Sequence, residues 1–317
     1  MVKLLKNIPI ILLLLMINLQ LVQSSNNTSY ASDNPVEYWA VVIGVADYQY
    51  MDPPPLFPSS IKGYDLAYSS ADAMELAAKL GSIWDVDHIK LLVDSQATKL
   101  SIQNAITGWL DSKEDENDII LFYFSGHSWQ SNTHEYIMPY NSLVISRQDD
   151  IQDITLNSWL NCLESNQQIV IIDSCNSGGF VNELYRYGRA VLTSCKKYED
   201  SYEYAALKHS VFTYYILDAL NNLDGIDKNN DGGICIEEVF DSAESNTRSY
   251  SGISLRDQHP GISNCAYESI NLIYTQGDKN TILPYISYSI IIIIIILMVV
   301  MRFVYLSMEK RDNIDTK

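Results

Sequence analysis

Apolar residues in the middle of the chain fall into short, nearly continuous runs, and stretches with helical periodicity separate them. "WAVVIGVADY" (39–48), "HIKLLVD" (88–94), "DIILFYFSG" (118–126), "QQIVIIDSC" (167–175) and "RAVLTSC" (189–195) read as buried strands, and "YIMP" (136–139) as a short edge piece. Amphipathic helices are expected at about 64–80, at 97–112 with Thr98 as N-cap, at about 155–164 and at 210–223. Strands that are apolar throughout and alternate with helices predict an α/β fold whose mostly parallel sheet is covered on both faces. No repeat and no long linker divides this region.

The two ends carry a different pattern. Residues 1–25 hold Lys3 and Lys6, then an uncharged run, then Ser24 and Ser25, which is the order of a secretory signal peptide. "ILPYISYSIIIIIIILMVVM" (282–301) contains no charge and is long enough to cross a bilayer as a helix. Arg302, Lys310 and Arg311 follow it, so the tail 302–317 is expected in the cytoplasm. The expected order is a signal peptide (1–25), an extracytoplasmic segment (26–37) with sequons at Asn26 and Asn27, a globular domain (38–278), and a single type I membrane helix.

Composition adds exclusions. With 317 residues, 47% hydrophobic and 19% charged, the chain can bury a sizeable core. A net charge of −18 argues against a nucleic-acid partner, which needs a basic face. Cys162, Cys175, Cys195, Cys235 and Cys265 show no CxxC spacing for zinc, and their odd number leaves one thiol unpaired unless chains cross-link. Cys235 and Cys265 are a possible pair in an oxidising compartment. Among the histidines, His88 and His209 read as packing or capping residues, and His134 and His259 as solvated loop residues.

Two strand ends carry the candidate chemistry. "LFYFSGHSW" (121–129) and "IIDSCNSGGF" (171–180) each end an apolar run in small residues and then present His127 or Cys175. In parallel sheets reactive groups gather at the carboxyl ends of strands, so this imidazole and thiol are expected on one rim. A thiol is mostly protonated at neutral pH, and a nearby histidine can take its proton and later protonate a leaving amine. Gly126 and Gly178 leave backbone room for a substrate carbonyl, and the Gly126 and Cys175 amides are candidate oxyanion donors.

"YFSGHS" and "IIDSCNSGG", with "VVIGVADY", "SSADAMEL" and "HSVFTYYILDAL", resemble the caspase-like cysteine peptidases of clan CD, closest to their metacaspase-like members. The likeness covers about residues 38–245. It implies a three-layer fold with a mostly parallel six-stranded sheet, and a Cys-His dyad of Cys175 (nucleophile) and His127 (acid/base) acting on a protein or peptide. It also implies a pocket for the acyl-side residue formed by Asp72, Ser125 and Asp173; its acidity favours Arg or Lys. Relatives are cut between the cysteine strand and the next, where Arg186, Arg189, Lys196 and Lys197 are candidates. Where the family often has "SGHG" and "DSCHSG", this chain has Ser128 and Asn176. A transamidase or ligase of the same fold and a non-catalytic calcium-responsive binding module are the alternatives.

The chemistry of the dyad requires no cofactor. Separately, "DKNNDGGICIEE" (227–238) fits the EF-hand loop template, with Asp227, Asn229, Asp231, Ile234 and Glu238 as candidate Ca2+ ligands and Gly232 at the tight turn.

Overall fold

A computed structural model describes residues 35–50, 65–143, 146–253, 256–264 and 269–274. The expected signal peptide, membrane helix and tail, and Cys265, lie outside these residues. Among the described residues no helix is long and apolar enough to cross a membrane.

The apolar runs become strands β1 (Tyr38–Gly44), β2 (Ile89–Val93), β3 (Ile119–Ser125), β7 (Gln167–Asp173) and β8 (Arg189–Thr193), of which β3 and β7 end two residues before His127 and Cys175. They form one sheet in the order β12-β8-β7-β3-β1-β2, where β12 (Gly261–Asn264) is an edge strand antiparallel to β8 and the other pairs are parallel. The expected six strands are present.

Helices cover both faces, as runs buried on both sides require. On one face Val41, Ile43, Ile120, Phe122, Phe124, Val170 and Ile172 pack against Ile102 of α2 (Lys99–Asn104), against Ile106 and Leu110 of the π-turn Ala105–Leu110 that prolongs it, and against Leu156 and Leu160 of α3 (Asp153–Leu160) and Leu184 of α4 (Val181–Leu184). On the other, Ala40, Val42, Leu121, Tyr123, Ile169 and Ile171 pack against Leu76 and Leu80 of α1 (Ser69–Gly81), Phe212 and Ile216 of α5 (Val211–Asn221) and Val239 and Phe240 of α7 (Ile236–Ile253). The odd and even strand positions thus serve two separate cores.

The helix boundaries follow local chemistry. Thr98 caps α2 as expected, accepting from the Ser101 amide at 3.1 Å. Helix α1 begins at Ser69, later than the periodicity suggests, and no side chain of its own caps it. Its start is capped from elsewhere in the chain: Glu203 accepts from the Ala67 and Tyr68 amides at 2.8 and 2.9 Å and from Ser69 Oγ at 3.2 Å. A carboxylate there meets unpaired amides and the positive helix end.

Small antiparallel pairs decorate this frame. The segment read as an edge piece, β5 (Glu135–Ile137), belongs to a separate three-stranded sheet with β4 (Ser128–Gln130) and β6 (Ile151–Gln152). Strands β9 (Glu203–Tyr204) and β10 (His209–Ser210) form a hairpin before α5, and β11 (Gly233–Cys235), which follows the short α6 (Leu223–Ile226), pairs with β13 (Asn271–Tyr274).

Candidate active site

Strands β3 and β7 are hydrogen-bonded neighbours, with Ser125 opposite Asp173. Gly126–His127 and Ser174–Cys175 therefore leave the sheet at the same level, from strands about 4.8 Å apart. His127, Cys175, Ser125, Asp173, Tyr202 and Glu203 line one cleft. The expected rim brings imidazole and thiol to one opening.

Tyr48, beyond β1, positions the histidine loop. It is buried, its hydroxyl oxygen accepts from the His127 amide at 2.6 Å, and its ring lies 5.1 Å from the imidazole. Burial pushes its phenol well above the ordinary range, so the oxygen keeps its proton. The His127 carbonyl accepts from the Met138 amide at 3.0 Å, which ties the loop to the accessory sheet.

The cysteine turn is held by its neighbours. Asn176 adopts φ 58°, the left-handed region that asparagine tolerates better than most residues, and so turns the chain sharply after Cys175. Its amide donates to the Glu199 carbonyl at 2.8 Å, and Ser128 Oγ donates to the Cys175 carbonyl. Ser128 and Asn176, the two departures from the family pattern, are therefore both structural supports of this turn. The buried Cys195 packs behind it, with Sγ 3.4 Å from the Ser174 carbonyl oxygen and from Ser177 Oγ.

The Cys175 thiol is pushed up to about 11, first by burial, with the carboxylates of Asp200 and Asp173 adding to it. Its Sγ lies 3.8 Å from the Ser201 carbonyl oxygen. That upward push favours the neutral thiol at neutral pH, so a base must take its proton as the sulfur attacks.

The glycines work differently from expectation. A Cβ on Gly178 would lie 2.7 Å from the Lys197 nitrogen and 2.9 Å from the Cys195 oxygen, and one on Gly126 would lie 2.8 Å from Phe124 Cζ and 2.9 Å from Tyr48 Oη. Both positions give room to the protein's own backbone and rings, not to substrate. The Gly126 amide, expected at the oxyanion, donates to the Asp173 carbonyl at 3.3 Å. Cys175 is left as the expected amide donor.

Of the expected pocket residues, Ser125 and Asp173 line the cleft, whereas Asp72 is fully buried beneath it. Asp72 accepts from Ser125 Oγ at 3.2 Å, from the Ser210 amide at 3.2 Å and from His209 Nδ1 at 2.7 Å. Burial pushes its carboxyl up to about 6, with the His209 bond opposing. Asp173 is 3% exposed, and Ser201 Oγ (2.7 Å), Ser210 Oγ (2.5 Å), Thr213 Oγ1 (2.7 Å) and the Thr213 amide (3.2 Å) donate to it, all of them neutral groups.

A brace encloses the loop that carries Ser201. Buried Gln258 donates to the Ser194 carbonyl and Ser201 Oγ at 3.0 and 3.1 Å. His259 pairs with Glu199 at 2.8 Å, and His134 with Asp153 at 3.1 Å, so neither histidine is merely solvated. His88 stacks on Trp39 with centroids 3.6 Å apart. Tyr48 ends "VVIGVADY" and His209 and Ser210 open "HSVFTYYILDAL", two segments that carry the resemblance, yet no site role attaches to Tyr48 or Ser210 from sequence and His209 reads as a packing or capping residue; neither Glu203 nor Gln258 lies in these two segments. Among the basic residues proposed for processing, Arg189 is 1% exposed and bonded to Gln168, Asn157, Asn161 and the Leu184 carbonyl, which removes it as a cleavage site.

The loop 227–238 closes on itself. Both Glu238 oxygens accept loop amides, from Lys228 at 2.9 Å and Cys235 at 3.1 Å; Asp227 accepts from Gly232, and Asp231 bonds Asn229 and Gly233. Ile234 is a buried core residue whose backbone pairs with Ile273. No group of three His, Cys, Asp or Glu side chains among the described residues is arranged to hold a metal ion. Cys162, Cys175, Cys195 and Cys235 are free thiols.

Comparison with known proteins agrees with this architecture. Metacaspase-1 of Plasmodium falciparum is 28% identical over 115 residues, which is 32% of this chain and 19% of that protein, so the match spans about a fifth of the relative's length. The crystal structure of protein GSU0716 from Geobacter sulfurreducens superposes with a TM-score of 0.53 over 76% of this chain and all of that one at 14% identity, a likeness of fold. The family described as "Caspase domain" matches residues 37–262, most of the chain, and the chain belongs to that family, the caspase-like cysteine peptidases of clan CD.

Proposed function

We propose that the chain is a cysteine endopeptidase that uses Cys175 and His127 to cut after Arg or Lys. The observation that carries the specificity is the Asp173 carboxylate: it sits at the floor of the cleft beside Cys175, almost wholly buried, and its hydrogen-bond donors are all neutral. A buried charge without a counter-ion is costly, and a guanidinium or ammonium from the substrate supplies one. An Asp side chain in the same place would bring like charges together.

In this reading His127 takes the thiol proton as Sγ attacks the scissile carbonyl, and the Cys175 amide donates to the oxygen that gains the charge. Collapse breaks the C–N bond, with the proton passing from His127 to the departing amine. A thioester remains. Water attacks it with His127 as base, the C–S bond breaks, and the proton returns to sulfur as the new carboxylic acid leaves.

Anchoring of this domain outside the membrane by residues 282–301 is part of the same proposal and rests on the hydropathy of that segment. Calcium enters as a proposed modulator at the loop 227–238, not as a reactant. The test is cleavage of peptides ending in Arg, Lys, Asn or Asp by the full-length chain and by Cys175→Ala, with calcium and with chelator. Cleavage after Arg or Lys that vanishes in Cys175→Ala supports the reading. Cleavage after Asn points to the ligase-type alternative, and none in a folded protein to a binding module.

A further inference from the structure

His209 is used by no step above, yet it stands between two carboxylates. Its Nδ1 is 2.7 Å from Asp72 Oδ1 and its Nε2 is 2.9 Å from Glu75 Oε2. A neutral imidazole has one N–H, so one of these contacts would set a lone pair against a carboxylate. With both carboxylates ionised, the two contacts are satisfied together only by the imidazolium. The inner carboxylate, Asp72, is fully buried, whereas the outer one, Glu75, has a side chain 57% exposed. A line of three ionisable groups therefore runs from beneath the cleft to the surface.

The inner end of that line meets the specificity pocket at Ser210. The Ser210 amide donates to Asp72 and its hydroxyl to Asp173, and Ser125, which lines the cleft, donates to Asp72. Asp72 and Asp173 are thus two buried carboxyls on opposite sides of one residue. Burial and the neighbouring Asp173 charge both raise the Asp72 carboxyl, and a cation beside Asp72 opposes that push.

The described groups found to face the ring are not cations. Tyr204 faces His209 across the β9–β10 pair, the Tyr214 ring of α5 lies 6.2 Å away, and Tyr123 of β3 adjoins Asp72. The bond to Asp72 and the two carboxylates outweigh burial and hold the His209 ring above the usual imidazole range.

Resting on the reading of the cleft as a pocket for basic residues, we propose that His209 is a specificity-determining positioning residue. As an imidazolium clamped by Asp72 and Glu75, it offsets the charge of Asp72, so that Asp173 is the carboxylate presented to the substrate cation.

The test has two arms on the full-length chain. In the first, the protein with Cys175→Ala is labelled at its five histidines and titrated by NMR, with His209 assigned by His209→Gln. The expected midpoint lies above the ordinary value of about 6.5 and falls in Glu75→Gln, an exposed change that the fold tolerates. A midpoint at or below the ordinary value, or one indifferent to Glu75→Gln, overturns the relay whether or not the protein is a peptidase.

In the second arm, His209→Gln is assayed on arginine substrates from pH 5.5 to 8. KM is expected to rise about tenfold to a hundredfold, the range for losing a charge-assisted contact, with kcat nearly kept. Cleavage should also gain a rising limb with pH as the Asp72 carboxyl, no longer offset, ionises. A matched loss of kcat with no change in the pH profile marks a structural role and overturns the proposal. If the unmodified chain cuts after neither Arg nor Lys, the pocket reading fails and takes the specificity role with it, while the first arm still decides whether the relay exists.

Discussion

A resting neutral thiol at Cys175 gives a measurable signature. Burial pushes the group up to about 11 from the ordinary 9.0, so at any pH below both values it carries about a hundredfold less thiolate than an unperturbed cysteine. Alkylation proceeds through the thiolate. Iodoacetamide should therefore label Cys175 far more slowly than a free cysteine at pH 7.5, with a rate still climbing above pH 9. The quantity is read peptide by peptide by mass spectrometry, which separates Cys175 from the exposed Cys162. Asp200 is exposed, and its carboxylate adds to the upward push on the thiol, so Asp200→Asn should speed labelling at fixed pH, by less than the hundredfold that burial dominates. A labelling rate that is already fast at pH 6 and flat above it would mean a standing thiolate–imidazolium pair, and would refute the argument from burial.

Three further changes test the scaffold. Gly178→Ala places a methyl 2.7 Å from the Lys197 nitrogen, which must move with its loop; a loss of about 1–3 kcal/mol is expected, seen as a Tm several degrees lower and reduced turnover. Tyr48→Phe leaves the His127 amide without its 2.6 Å acceptor, costing about 1–3 kcal/mol and lowering kcat more than it raises KM, as measured by thermal denaturation and steady-state kinetics. Burial would raise Glu199, but bonds from the Lys196 and His259 amides and the His259 ring win and hold it below the ordinary range. A depressed carboxyl stabilises the fold above its unfolded value and loses that contribution as pH falls through the folded one, so Glu199→Gln should lower Tm at pH 6, an effect that fades as the pH falls below the ordinary carboxylate range.

The parts that were legible in the sequence are those set by local pattern. Near-continuous apolar runs such as 118–126 and 167–175 announce strands buried on both faces, and His127 and Cys175 are visible because each follows such a run. Thr98 is a cap by its position alone. What stayed hidden depends on partners far along the chain. Glu203 caps α1 from more than 130 residues away, and Tyr48 reaches His127 across 79. Gly126 and Gly178 were recognisable as places needing space, but the sequence does not say what fills it; Tyr48 and the 195–197 backbone do. Asp72 reads as a pocket residue in the sequence; it does not line the cleft, and its depth beneath Ser125 and Ser210 and its hold on His209 are properties of packing between α1 and β10. The loop 227–238 matches a calcium template by its spacing; the packing adds that both Glu238 oxygens accept the loop's own amides while the buried Asp227 Oδ1 accepts no hydrogen bond.

The most direct measurement is kcat/KM of the full-length chain on a peptide series differing only in the residue before the cut, run beside Cys175→Ala. The account predicts cleavage after Arg or Lys, at least about a hundredfold above Asn or Asp as expected for a buried charge pair, and none in Cys175→Ala. Equal cleavage after Asp, or turnover that survives in Cys175→Ala, would contradict it.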